Sequence, residues 1–375
     1  MNTTPIHSQV SDFRPLQEPL AVNAQHDVRA VARHFRILGE FLSAEPYGTG
    51  HINDTYRVAF DLGGTSVRYI FQRINEKVFK NPVAVMENIE RVTSHIRDRL
   101  TGEREPGRSV LTLIPTCDDR FWHRDERGNF WRAYIFVEKA RTYDMVEFTE
   151  QAFAAAKAFG AFQRHLVDLP TPRLHDTIPG FHDTPGRFAR LEKAIEADAA
   201  NRAKLARAEI QFASRQKWIT TCLLNAGLPE RVTHNDTKLN NVMLDDATGD
   251  GICVIDLDTV MPGLVAYDFG DMVRTTTSLA KEDETDLSRV EMQFHLYEAL
   301  VRSYLTFANG FLTKAEKQSL ASAGKVVTLE IGIRFLTDFL EGDTYFKVHR
   351  EGQNLDHCRT QFKLVESIEK QEERM

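Results

Sequence analysis

The chain holds 375 residues, 42% apolar and 27% charged, a mixture that fills a sizeable core and excludes disordered and collagen-like classes. Its 47 Lys and Arg against 54 Asp and Glu leave a formal charge of −7, which argues against nucleic acid as main partner, since neutralising phosphates needs a basic surface. Four separated cysteines, Cys117, Cys222, Cys253 and Cys358, make no CxxC pair, so neither a zinc knuckle nor a disulfide framework is expected.

Residues 1–23 read as a disordered tail, without the apolar stretch and basic flank of a signal peptide. No run of about 18 apolar residues occurs, so no membrane span is expected and a soluble cytoplasmic protein is the default. Val28, Val31, Ala32, Phe35, Leu38 and Leu42 recur at helical spacing and predict an amphipathic helix ending before Pro46. YGTGHINDTYRVAFDLGGTSVRYIFQRI then reads as loop, strand, tight turn at Gly63-Gly64 and second strand, because paired glycines tolerate the positive φ such a turn demands. Val85, Ile89, Val92, Ile96 and Leu100 mark a second amphipathic helix. Strand patterns follow at 110–114 and 131–139, around a polar turn at Gly128-Asn129. In these strands Trp131, Tyr134 and Phe136 read as core.

Helices are expected beyond, over roughly 149–166, 187–200, 203–226, 287–308 and 315–341. One β-rich island, around 241–258, interrupts them. The fold class expected is α+β with two lobes: a small antiparallel β lobe with one inserted helix over 24–139, and a larger, mainly helical lobe over 140–375.

The island carries the densest cluster of reactive residue types. VTHNDTKLNNVML places His234, Asp236, Lys238 and Asn241 on one loop, and CVIDLDTV ends an apolar strand at Asp256, with Asp258 two residues on. Transfer of a γ-phosphoryl group needs a carboxylate to orient a hydroxyl and accept its proton, hard oxygen ligands for Mg2+, and a cation near the migrating group. Asp236 suits the base, Lys238 the cation, and Asn241 with Asp256 the metal ligands. H-x-D-x-K-x-x-N followed by a strand ending in Asp is the layout of the protein-kinase catalytic loop and its metal-binding Asp.

ATP would also need a glycine-rich loop. Gly48-Thr49-Gly50 precedes a strand in the β lobe, and Asn53 beside it is a further candidate for the nucleotide site. The next strand should supply a cation for the α- and β-phosphates, yet YIFQRI puts Gln72 where V-A-I-K would place Lys. Arg73 is the candidate adopted, with Lys77 and Lys80 as others, and Glu87 or Glu90 as possible carboxylate partners. Val137-Glu138-Lys139 would form the hinge beside adenine. His175 and His182 show no metal-ligand spacing and read as ordinary surface residues.

With these motifs in hand, HNDTKLNN, IDLDTVMPG and LVAYDFGD resemble the aminoglycoside phosphotransferase and choline kinase family. Together with YGTGHINDTY and YIFQRIN…VFKNP they are most similar to its N-acetylhexosamine 1-kinases, over roughly residues 35–350. The resemblance implies a two-lobed protein-kinase-like fold, ATP with Mg2+, and phosphorylation of the anomeric hydroxyl of N-acetylglucosamine or N-acetylgalactosamine. It carries Asp236 over as catalytic base and substrate contact, Lys238 as the γ-phosphate cation, and Asn241 and Asp256 as metal ligands. Arg334 and Tyr345, in RFLTDFLEGDTYF, would hold the sugar, while Asp268 in YDFGD would be structural. Rival expectations are a kinase of the same family acting on a choline-, homoserine- or aminoglycoside-like acceptor, and a kinase-like binding module without catalysis.

Overall fold

The computed structural model describes residues 26–48, 52–102 and 106–375, so the tail expected over 1–23 and Gly50 of the glycine loop lie outside the described residues. Helix α1 spans Val28–Ala32, with the Asp27 carboxylate capping it by accepting from the Ala30 N–H at 3.0 Å. It ends far short of the expected Leu42. Gly39 takes a φ of +100°, and a Cβ there would fall 2.2 Å from the Asp61 carbonyl. The chain beyond it becomes strand β1 (Glu40–Pro46), paired antiparallel with β2 (Asp54–Leu62). Leu38 and Leu42 are 75% and 53% exposed, so their helical spacing serves no buried face.

The turn between β2 and β3 (Thr65–Arg73) is the one expected: Gly63 and Gly64 sit at φ +61° and +89°. Helix α2 (Pro82–Arg99), with Asn81 as its N-cap, buries Val85, Ile89, Val92 and Ile96. After the short α3 (Pro106–Ser109), residues 110–114 form no named strand; the Ile114 N–H donates to the Ala133 carbonyl and the Ile135 N–H to that of Thr112. Strands β4 (His123–Arg124) and β5 (Phe130–Ile135) complete a five-stranded sheet in the order β1-β2-β3-β5-β4. Strand β6 (Ala140–Arg141) leads into the second lobe.

That lobe contains α4 (Thr149–Leu166), α5 (Thr184–Ala197) and α6 (Arg207–Arg215); short 3-10 turns replace the rest of the helix expected over 203–226. Strands β7 (Arg231–Thr233), β8 (Val242–Asp245), β9 (Gly251–Val254) and β10 (Met261–Gly263) form the island, β7 with β10 and β8 between β6 and β9. Helices α7 (Val265–Thr276), α8 (Phe294–Ala308), α9 (Lys314–Glu341) and α10 (Gln353–Glu369) follow. Among the described residues no helix is long and apolar enough to cross a membrane.

Side chains alternate across the five-stranded sheet, and this sorts its functional residues. Tyr56, Val58, Phe71, Trp131 and Ala133 pack with Val28, Val31 and Phe35 in a small core on one face. Thr55, Gln72 and Arg132, neighbours across β2, β3 and β5, point to the other face. Ties across the lobes then fix the cleft. Asn88 of α2, fully buried, donates to the carbonyls of His175 and Val260 at 2.8 and 3.0 Å, and the Arg108 guanidinium meets the Asp245 carboxylate at 2.8 Å.

Candidate active site

The loop between β7 and β8 is held from below by one buried carboxylate. Asp268, at the start of α7, accepts from the backbone N–H groups of His234 at 2.9 Å and Asn235 at 2.6 Å, and from the Gln163 amide of α4 at 2.6 Å. Burial pushes its pKa upward despite these bonds. Asn235 sits at φ +66°, a conformation held by its own side chain, which donates to the Thr259 carbonyl and accepts from the Thr233 hydroxyl. The His234 ring accepts from the Asp236 N–H at its Nδ1, so Nε2 carries the proton given to the Ile255 carbonyl at 2.9 Å. This imidazole is a strut between the loop and the end of β9.

On that support the structure brings together Asp236, Lys238 and Asn241. Lys238 Nζ lies 3.0 Å from Asp236 Oδ2, and Asn241 Nδ2 donates to the same oxygen at 3.1 Å and to the Asp236 carbonyl at 2.7 Å. No described residue donates to Asp236 Oδ1, which is left for an incoming group. Burial opposes ionisation of Asp236, but the Lys238 ammonium beside it outweighs burial and holds its pKa below the ordinary carboxylate range. Asp236 in turn raises the pKa of the Lys238 ammonium.

Asp256 joins the cluster through the backbone: the Ile255 N–H donates to the Asn241 carbonyl at 2.9 Å, and Asp256 turns out of β9 at φ +59°. Its carboxylate accepts no hydrogen bond from the described residues. The residue remains accessible to solvent, but packing around its carboxylate removes part of its hydration, and this loss with the charges of Asp258 and Asp236 pushes its pKa up to about 6. Among the described residues no group of three or more His, Cys, Asp and Glu could hold a metal. Asn241 Oδ1 and the Asp256 carboxylate are two unspent hard oxygens. They fit a Mg2+ ion that brings water and phosphate as its remaining ligands.

The other expected site residues divide. Gly48 is left-handed at φ +80° with open space where a Cβ would lie, so its backbone conformation rather than its packing calls for glycine. Asn53 spends its amide within the protein, donating to Asp258 Oδ2 at 2.6 Å and accepting from the Asn75 N–H at 2.9 Å. Arg73 is turned to the other face of the sheet, where it pairs with Asp54 at 2.5 Å, so strand alternation separates it from the cluster. Lys77 and Lys80 are exposed beyond the strand, Glu90 is exposed, and Glu87 meets His175 at 2.6 Å. The Glu138 carboxylate pairs with Arg68, and its carbonyl accepts from Arg108.

Arg334 and Tyr345 share a pocket with Arg187, Arg190, Asp338 and Phe346, formed by α5, α9 and the turn after α9. The Arg334 guanidinium lies 5.5 to 5.8 Å from the ring centres of Phe181, Tyr345 and Phe346 and makes no hydrogen bond with the described residues. The pocket carboxylates are already engaged. Asp338 accepts from the N–H groups of Thr344, Tyr345 and Phe346 and from the Asn354 amide, and Glu341 pairs with Arg190.

His182 departs from the expectation of a surface residue. Its side chain is only 6% exposed, stacked on Tyr267, 3.0 Å from the Glu330 carboxylate through Nδ1 and 3.1 Å from the Asn235 carbonyl through Nε2. Its spacing resembles no metal site, and nothing local signals a partner on α9. The buried Arg132–Asp258 ion pair was equally unforeseen; its only signal is an arginine amid the apolar residues of FWRAYIF.

A small antiparallel sheet over a helical lobe, with this loop between them, is the two-lobed protein-kinase-like fold. The phosphotransferase enzyme family model matches residues 43–302, and the chain belongs to that family of small-molecule kinases. The fold is similar to a microcompartment-associated aminopropanol kinase (16% identity, TM-score 0.58, 92% of this chain and 97% of that one). It is also similar to a spectinomycin phosphotransferase solved with ADP and spectinomycin (11%, 0.60, 93% and 98%). A choline kinase from Cryptosporidium parvum shares it at 12% identity and a TM-score of 0.54, over 92% and 95% of the two chains.

Proposed function

We propose that this kinase transfers the γ-phosphoryl group of ATP to the anomeric hydroxyl of an N-acetylhexosamine, giving the sugar 1-phosphate. The observation that carries the chemistry is the division of labour at Asp236: Oδ2 is fixed by Lys238 and Asn241, and Oδ1 is free to receive a hydroxyl. The acceptor O–H gives its proton to Oδ1 as its oxygen bonds the γ-phosphorus. The bond from that phosphorus to the β–γ bridging oxygen breaks, and ADP leaves. Lys238 stands beside the transferred group. Asn241 and Asp256 would hold Mg2+, which when bound neutralises phosphate charge. An anomeric hydroxyl is more acidic than a simple alcohol, so a carboxylate held below its ordinary pKa is base enough.

The acceptor pocket favours a neutral sugar over a cation. Three guanidiniums line it, and its carboxylates are saturated by backbone amides or by Arg190. Choline and aminoglycosides would meet like charge with no free carboxylate opposite. Ring hydroxyls and an acetamido carbonyl suit the unspent donors of Arg334, and the Tyr345 ring gives an apolar wall. The lobe over 24–139 would serve the nucleotide and that over 140–375 the acceptor.

Incubation with ATP, Mg2+ and N-acetylglucosamine or N-acetylgalactosamine is expected to yield a phosphorus NMR signal coupled to the anomeric proton. Choline, homoserine and an aminoglycoside in parallel should consume no ATP above background. Turnover of one of these without any sugar 1-phosphate would remove the acceptor assignment and leave the kinase chemistry standing.

A further inference from the structure

The strand that ordinarily carries the phosphate-binding lysine here carries Gln72, and Arg73 beside it is committed to Asp54 on the opposite face. A nucleotide still brings several negative charges into the cleft. The one cation that the sheet register aligns with Gln72 is Arg132, its direct neighbour on β5. Arg132 is only 1% exposed. Its Nε donates to Gln72 Oε1 at 3.0 Å, and Gln72 donates to the Thr55 hydroxyl at 3.0 Å, so the arginine is aimed by a chain of bonds across three strands. Nη1 meets Asp258 Oδ1, the carboxylate two residues beyond Asp256. Nη2 makes no hydrogen bond with the described residues.

Nη2 of this buried arginine therefore keeps its hydrogens for an incoming acceptor, on the sheet face that carries Gln72 and Thr55. We infer that Arg132 supplies, from β5, the cation for the nucleotide α- and β-phosphates that a lysine on β3 supplies elsewhere, with Gln72 as its orienting partner and Asp258 as its counter-ion before nucleotide enters. This rests on the kinase reading above and names the group that meets the diphosphate.

Titration calorimetry on the full chain with Mg·ADP and with adenosine separates phosphate recognition from the shape of the adenine site. Arg132→Met alone would strand a buried carboxylate, so it is made in an Asp258→Asn background and compared with Asp258→Asn alone. The double variant is expected to bind ADP at least about tenfold more weakly than its reference, the scale of one lost charge-assisted hydrogen bond, with adenosine within about twofold. Arg132→Lys in the otherwise unaltered chain keeps a charge for Asp258 and withdraws the fork, so its ratio of ADP to adenosine affinity should fall in the same sense. An unchanged ratio in both variants, or equal losses for the two ligands, overturns the role of Arg132. A wild-type protein that binds ADP no more tightly than adenosine would overturn the kinase reading along with it.

Discussion

Asp236 is a residue whose two oxygens have different neighbours, and that asymmetry decides what it can do. Lys238 and Asn241 fix Oδ2 and favour the charged form, so the free oxygen is an ionised acceptor at neutral pH. Asp236→Asn preserves the volume and one acceptor but puts an amide where a proton must be taken up. Steady-state kinetics are expected to show kcat lower by about 10²–10⁴ with Mg·ADP affinity within a fewfold. A rate unchanged by the substitution would mean the proton goes elsewhere. These residues were legible in the chain because the chemistry demands fixed residue types at short spacing, H-x-D-x-K-x-x-N. Arg132 was not, since it stands far from Gln72 in sequence and becomes its neighbour only through the β3–β5 register.

Helix α7 shows how an element transmits this order. It carries Asp268, which holds the backbone of His234 and Asn235, and it lies against α9 at two glycines. A Cβ on Gly270 would stand 2.4 Å from the Ala323 carbonyl, and one on Gly324 would stand 2.5 Å from Val273 Cγ1. Gly270→Ala must therefore force the two helices apart. Denaturant unfolding is expected to show a loss of about 1–3 kcal/mol, the range for overpacking, together with a fall in kcat as Asp268 is displaced from the loop. Asp268→Ala releases the loop without moving the helices: it leaves three buried donors, the His234 and Asn235 N–H groups and the Gln163 amide, without this acceptor, at about 1–3 kcal/mol each. A Gly270→Ala protein as stable and active as the wild type would mean that α7 shifts freely. Helical spacing is present in α7 at Asp268, Asp271 and Arg274, but Val265 through Val273 are all buried, so these polar residues serve neighbouring groups rather than a solvated face and the stretch does not read as a surface helix. The opposite error occurs at α1, where apolar residues repeat at helical spacing through Leu42 but the close approach of Gly39 to Asp61 and pairing with β2 turn the chain into strand.

Across the whole molecule, the His182–Glu330 pair joins the segment before α5, helix α9, the catalytic loop through the Asn235 carbonyl, and α7 through the Tyr267 ring. Burial disfavours a charge on His182, but Glu330 and the more distant Asp271 outweigh it, and its pKa rises above the ordinary 6.5. For Glu330 burial again works against the charge, while His182, the Thr184 hydroxyl and Arg334 overcome it and bring its pKa below the ordinary 4.5. The signs follow from linkage. Stability from His182 is fully present below pH 6.5 and is lost as pH rises through its higher folded value. Stability from Glu330 is present above pH 4.5 and is lost as pH falls through its lower folded value. Both contributions are complete between these limits. Replacing His182 by Gln keeps a donor toward Asn235 and removes the titrating charge. The gap in Tm between wild type and His182→Gln is therefore expected to be widest near pH 6 and to narrow toward pH 9, because the wild type alone loses a charged pair over that range. Thermal melts of both proteins across the series check it, and a gap that stays constant would mean that His182 is neutral throughout and holds the lobe by hydrogen bonds alone.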